Sequence, residues 1–415
     1  MQLLSDQRRD IEARVGARLN IKWLCSRGTK KSPYLPKGIR QTKNWKDVVF
    51  DPQVDCVVEL IGGTSPAKEA VIAALNNGKH VVTANKAILA KYWDDIFSLA
   101  RKKRRLVYFE AAVGGGVPIV QAINEGLAGN RIRRIVGILN GTTNFILTRM
   151  QEAGESYASA LAAAQKAGFA EADPTFDVEG IDAAQKISIL GSLATGQWIR
   201  PQKIHTEGIS KLQLTDMRIV KNLLHKTIKL LAIAELRNHG WVLRVHPALV
   251  SRLHPFANVR NEYNAISVLG DAVSDVMLYG KGAGKLPTSS AVVSDIIFLC
   301  RQIANGTAGQ LPYVSPGAEK SAPVVSMDHI VSRYYLRVTT LDKPGVLSKI
   351  TGILGKKNVS IATVHQDEAE LSGRGKAVSV VLVTHLNAEK NVQAAVREIN
   401  KLSSTKAATV VLRME

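Results

Sequence analysis

"VDCVVELIGGTSPAKEAVIAALNNGKHVVTANK", residues 54–86, sets two apolar runs of strand length on either side of a helical pattern. The first run closes on Gly62 and Gly63, and the helix has Pro66 at its start and Gly78 past its end. "AILAKYWDDIFSLARKKRR" (87–105) reads as a second helix and "LVYFEAAV" (106–113) as a third strand. Strands alternating with helices of this length predict an α/β, doubly wound parallel sheet of the Rossmann type, with a ligand crevice at the strands' carboxyl ends. Toward Met1, "LNIKWLC" (19–25) alternates Leu19, Ile21, Trp23 and Cys25 on one face, as a strand does. Before it, Leu4, Ile11 and Val15 form one helical stripe. A helix thus stands ahead of the first strand, so the expected sheet is truncated at the turn where such folds seat a pyrophosphate.

Beyond residue 130 the pattern changes to long helical stretches mixed with strands, which predicts an α+β domain. "RIVKNLLHKTIKLLAIAEL" (218–236) is read as one of its helices, and "WVLRVHPALV" (241–250) as a strand. A Pro/Gly/Ser-rich passage then reads as a linker. From Arg333 the order strand, helix, strand, strand, helix, strand gives a βαββαβ unit of the ferredoxin-like plan. The expected division is 1–118, 119–305, a linker at 306–332, and 333–415.

The bulk numbers exclude several classes. With 415 residues and 46% hydrophobic content the chain is long enough for several cores. Cys25, Cys56 and Cys300 sit in apolar runs without metal-ligand spacing, which predicts reduced, packed thiols and a cytoplasmic setting. No secretory leader opens the sequence and no apolar run is long enough for a bilayer, so no membrane partner is expected. The net charge of +20 is compatible with nucleic acid, but the basic residues are dispersed and only Arg101 to Arg105 form a run. The solvated last turn of a helix explains that run better, and no nucleic-acid partner is expected.

Four clusters can carry chemistry. Lys86 stands at the carboxyl end of a parallel strand, where crevice residues sit, although a lysine snorkelling from a strand end looks the same. "EAAVGGGVPI" (110–119) joins Glu110 to a glycine turn able to present backbone carbonyls as hard oxygen ligands, or simply needing glycine dihedrals. "GFAEADPTFDVEGIDAAQK" (168–186) places Glu171, Asp173, Asp177, Glu179 and Asp182 just ahead of Lys186. Pro174 and Gly180 predict a loop there, with Asp182 and Lys186 one turn apart on the next helix. An acidic surface loop is the plain alternative. In a basic chain, however, such a cluster suits a substrate ammonium and keeps Lys186 charged for use as an acid. "YGKGAGKLPTSSAVVSD" (279–295) is a glycine loop entering a helix, a weaker sign of a phosphate or nicotinamide contact.

Taken with "GILNGTTNFIL" (137–147) and "LDKPGVL" (341–347), these strings resemble homoserine dehydrogenases of the bacterial type that carry a C-terminal ACT domain. The resemblance runs along nearly the whole chain, and the 168–186 string is its most specific part. It implies a reversible, NAD(P)H-dependent reduction of L-aspartate 4-semialdehyde to L-homoserine on the route to threonine, methionine and isoleucine. By position it implies Lys186 as proton donor, Lys86 as a second crevice lysine near cofactor and substrate, and Glu171, Asp182 and Asp177 as substrate ligands. It implies Gly168 and Gly282 as cofactor contacts. It further implies a structural sodium ion held by Glu110, Val113, Gly115 and Val117.

Ser26 and Arg27 follow the "IKWLC" strand where an acidic residue would bind a ribose hydroxyl. With Lys30 and Lys31 close by, Arg27 favours NADP over NAD. Lys281 adds a cation where the family often has proline. Asp342 and Gly345 lie at the turn that typically holds an amino-acid effector in ACT domains, here L-threonine, and the family forms homo-oligomers, dimers or tetramers. A rival reading is a non-catalytic homologue that senses amino acids or supports oligomerisation. The intact acidic cluster ahead of Lys186 argues for the enzyme.

Overall fold

The structure, a computed structural model, describes residues 1–28, 32–315, 323–366 and 377–415. The helical segments Gln2–Asp6 and Arg8–Val15 bury Ile11 and Val15 against Ile297 of the helix Lys285–Ala304. Strands Trp23–Cys25 and Arg40–Thr42 pair in parallel. Cys56–Glu59, His80–Thr83 and Val107–Tyr108 form a second parallel piece in chain order, covered by helices Ala67–Asn76 and Lys86–Lys103. The expected α/β arrangement is therefore present, but among the described residues the two pieces share no ladder. The basic run ends the second helix as expected. Arg101 to Lys103 occupy its last turn, and Arg104 closes it with a φ of 52°. Cys25 departs from the expectation of packed thiols: it is exposed on the short strand, whereas Cys56 and Cys300 are partly covered. The third strand is shorter than the sequence suggests, because the chain tightens into a 3-10 turn at Glu110–Ala112.

One extended sheet forms the middle of the molecule. Its order is Ser274–Lys281, Tyr263–Gly270, Ile132–Ile138, Lys226–Arg237, Gly240–Ser251, Val410–Met414, Tyr334–Leu341, Ala377–Thr384 and Ile361–Gln366. The helix expected over 218–236 is a helix only at Leu214–Asn222, and Lys226–Arg237 is a strand paired along its length with Gly240–Ser251. Ile228, Leu230, Ala232 and Ala234 face the main core while Leu231 and Ile233 face a second layer. A strand buried on both faces is an unbroken apolar run, in which the period-2 signal vanishes.

The C-terminal unit has the expected ferredoxin-like plan, with its four strands antiparallel and ordered last, first, third, second. Its last strand runs parallel to Gly240–Ser251, with Arg413 opposite Ala248. The two units thus share a sheet. Among the described residues no helix is long and apolar enough to cross a membrane.

Candidate functional site

Lys86 is the first residue of its helix. Asn85 caps that helix, accepting from the Ala87 and Ile88 amides at 3.1 and 3.4 Å, and donates to the Gly63 carbonyl at 2.8 Å. Beneath it lies Glu59, 2% exposed, whose carboxylate accepts from the Thr83 hydroxyl and the Ile61 amide, each at 2.6 Å. One buried carboxylate therefore joins both crevice turns and sets where Lys86 leaves the sheet.

Gly180, with a φ of 79°, opens the helix Ile181–Thr195, and Asp182 and Lys186 fall one turn apart on its buried side. The Lys186 ammonium lies 2.8 Å from one Asp182 oxygen and donates to the Leu139 carbonyl at 2.7 Å. Lys86 reaches the other Asp182 oxygen at 2.9 Å, its ammonium 5.5 Å from the Phe176 ring centroid. From the end of strand Ile132–Ile138, the Asn140 amide donates to Asp182 at 2.9 Å and to Asp177 at 2.7 Å. The same residue caps the helix Gly141–Glu152 through the Thr143 amide at 2.8 Å.

Burial alone would raise the Asp182 carboxyl, but the two ammonium groups and their hydrogen bonds overcome it and hold it at about 2. Asp177 moves upward, because burial and the neighbouring Asp182 charge outweigh the Asn140 hydrogen bond. The acidic loop itself contains a short helix, Thr175–Val178, where Pro174 was expected to exclude one. The structure thus brings together Lys86, Lys186, Asp177 and Asp182. Glu171 is not among them: it is exposed, and its backbone carbonyl accepts from the Gln165 side chain at 3.1 Å. Gly168 follows the helix Tyr157–Lys166 with a φ of 75° and open space above its Cα.

The two glycine turns meet. The Gly116 amide donates to the Lys281 carbonyl at 2.9 Å, and a Cβ on Gly115 would stand 2.4 Å from the Gly282 oxygen. Gly282 in turn lies against the amide of buried Asn264, which leaves no space for a side chain there. The carbonyls of Val113 and Gly115 accept no hydrogen bond among the described residues, whereas that of Val117 takes the Ile119 amide at 2.8 Å. Glu110 caps the helix start that follows this turn. Its carboxylate accepts the Val120 and Gln121 amides at 2.9 and 2.8 Å, and its own amide donates to buried Asp295 at 2.9 Å. Burial raises Glu110 to about 7 against those hydrogen bonds, and burial plus the Glu110 charge raises Asp295 to about 8. Arg27 is exposed beyond the strand Trp23–Cys25, while Lys30 and Lys31 lie outside the described residues. Lys281 faces Glu262 at 3.7 Å.

Family models match three successive blocks: the homoserine dehydrogenase NAD binding domain at 1–110, homoserine dehydrogenase at 118–297, and the ACT domain at 334–404. The homoserine dehydrogenase of Neisseria gonorrhoeae is 42% identical over 100% of this chain and 94% of its own length. The chain belongs to the homoserine dehydrogenase family. That of Pseudomonas aeruginosa is 41% identical over 98% of this chain and 93% of its own. The crystal structure of a homoserine dehydrogenase from Thiobacillus denitrificans superposes with a TM-score of 0.91 at 42% identity, covering 100% of this chain and 94% of that one. As a homoserine dehydrogenase the chain is an NAD(P)-dependent oxidoreductase, and the sensing-only alternative is not favoured. Asn140, Glu59 and Asp295 escaped the sequence reading. Asn140 had a signal, an amide residue between a strand and Gly-Thr-Thr, but caps are common and this one reveals its second role only in three dimensions.

Proposed function

We propose that the site interconverts L-aspartate 4-semialdehyde and L-homoserine, with Lys186 as proton donor. The observation that carries this is one buried carboxylate held between two lysine ammonium groups, 2.8 and 2.9 Å away. An ammonium has three N–H donors. Lys186 spends two, on Asp182 and Leu139, so the third is free for an aldehyde oxygen. NADPH, when bound, supplies the hydride to the aldehyde carbon. As charge develops on that oxygen, Lys186 donates its proton and Lys86 stabilises the alkoxide by its field. Asp182 and Asp177 hold the substrate's ammonium end, and Glu171 joins them when substrate draws the loop inward. The test is steady-state NADPH oxidation with L-aspartate 4-semialdehyde. Lys186→Ala should lower kcat by about two to four orders of magnitude, the usual weight of a general acid. A variant that keeps the native kcat removes the assignment.

NADP is the favoured cofactor. Arg27 is exposed and forms no ion pair among the described residues, which supports a contact with the 2′-phosphate. Gly282 and Gly168 supply close backbone approach. Arg27→Ala should reduce the kcat/KM ratio of NADPH over NADH by at least tenfold, about 1.4 kcal/mol; an unchanged ratio assigns the preference elsewhere. The Val113 and Gly115 carbonyls fit a sodium ion as hard oxygen donors, with Val117 beside them. Glu110 stands beside this turn, its oxygens bound to the helix start at Val120 and Gln121. The ion's part is to pin the 113–117 turn against Gly282. The strand-to-helix turn of the ACT unit, with Asp342 and Gly345, is read as a threonine site that feeds back on activity. The protein is further read as a cytoplasmic homo-oligomer, dimer or tetramer.

A further inference from the structure

The turn that carries Asp177 and leads to Asp182 is strapped from outside by residues 205–209. The Ile209 amide donates to the Val178 carbonyl at 2.8 Å, and a Cβ on Gly208 would stand 2.4 Å from that oxygen. The Gly180 turn lies against the same strap: a Cβ on Gly180 would stand 3.2 Å from the Thr206 methyl and 3.1 Å from Val245 behind it. The strap's His205 and Thr206 pair with Arg244 and Val245 of the neighbouring strand, and Glu207 ties it to the ACT unit. Its amide donates to the Val245 carbonyl at 2.8 Å, and its carboxylate pairs with Arg413, on the last strand of the ACT unit, at 2.5 Å. Arg413 is 1% exposed and shares its guanidinium with Glu389, the first residue of the ACT helix Glu389–Ile399, at 2.5 and 3.2 Å.

We propose that Glu207 and Arg413 are positioning residues for substrate, through which the ACT unit sets the acidic turn that binds the substrate's ammonium end. Covalent and hydrogen-bonded links run without a gap from the Glu389 carboxylate to Asp177 and Asp182. Whatever shifts the Glu389–Ile399 helix therefore moves the strap, and with it the substrate carboxylates, while the cofactor turns at 113–117 and 281–284 hang from other elements. The proposal rests on the reading of Asp177 and Asp182 as substrate ligands.

The experiment uses the full-length enzyme and compares Glu207→Gln with Glu415→Gln. Glu415 is a seam carboxylate paired with Arg134 and Arg244; Arg244 lies opposite His205 where the strap pairs with Gly240–Ser251, so this control removes a neighbouring seam charge while leaving the Glu207–Arg413 link intact. Glu207→Gln should raise KM for L-homoserine about tenfold, within the usual range of coupling between sites, with KM for NADP unchanged and kcat little affected. Arg413→Met, which breaks the same link from the ACT side, should raise the homoserine KM by a similar factor. Glu415→Gln should cost similar thermal stability but leave both KM values native. An unchanged homoserine KM in Glu207→Gln, or an equal rise in Glu415→Gln, overturns the proposal. Asp182→Asn in the same assay separates the two readings: if it binds L-homoserine normally, the substrate assignment itself fails.

Discussion

Asp182 is a carboxylate facing two ammonium groups, and removing its charge changes two properties together. Its ordinary value in an unfolded chain is about 4, and in the fold it is about 2. The folded state therefore binds fewer protons, so the stabilisation is complete above about pH 4 and is lost as pH falls toward about 2. Asp182→Asn should flatten the acid limb of the stability curve across that window, as followed by circular dichroism, and it should weaken substrate binding at neutral pH. An acid limb as steep as the native one would place the titration on another group. Among the residues, those with chemistry written into their type and spacing were legible: Asp182 and Lys186 one helical turn apart, and Lys86 at a strand end. Glu59 was not, because a glutamate inside "VVELIGG" shows its role only when Thr83 and Asn85 arrive from the next strand.

At the scale of elements, the two glycine turns are held by backbone contact and by little else. Gly115 combines a φ of 55° with a Cβ position 2.4 Å from the Gly282 oxygen, so a methyl group there must displace the Gly282 turn. Gly115→Ala should cost about 1–3 kcal/mol, the usual penalty of overpacking, and raise KM for NADP. Gly129→Ala, with nothing within 4 Å of its Cβ, should do neither. Differential scanning calorimetry with NADP titration distinguishes them, and equal behaviour would mean the turns are not in register contact. The strand-helix alternation of 54–113 was legible because each strand is bounded by glycine or proline. The strand Lys226–Arg237 was not, since burial on both faces erased its alternation. The acidic loop took one helical turn, Thr175–Val178, because proline limits a helix only upstream of itself.

For the whole molecule, the ACT unit is part of the catalytic unit's structure. Arg337 pairs with fully buried Asp216 at 2.7 and 3.1 Å, and Tyr335 donates to the same carboxylate at 2.7 Å. Arg244, 1% exposed, pairs with Glu415 at 2.9 Å. Cutting the chain ahead of Tyr334 would strip Tyr335, Val381, Val410 and Leu412 from the main core and bare the edge of Gly240–Ser251 that pairs with the last strand. The truncated chain should therefore be insoluble or melt far below the native protein. A fragment of native stability would show that the seam is dispensable. The ferredoxin-like plan was legible from its element order, but its union with the central sheet was not, since pairing between distant strands leaves no local pattern.

The central claim is that Lys186, oriented by Asp182 and the Leu139 carbonyl, gives the proton that accompanies hydride transfer. The most direct measurement is single-turnover NADPH oxidation with saturating L-aspartate 4-semialdehyde, native enzyme against Lys186→Ala, with cofactor binding measured separately by fluorescence titration. The account predicts native NADPH affinity and a hydride-transfer rate lower by about two to four orders of magnitude. A native rate in Lys186→Ala would contradict it.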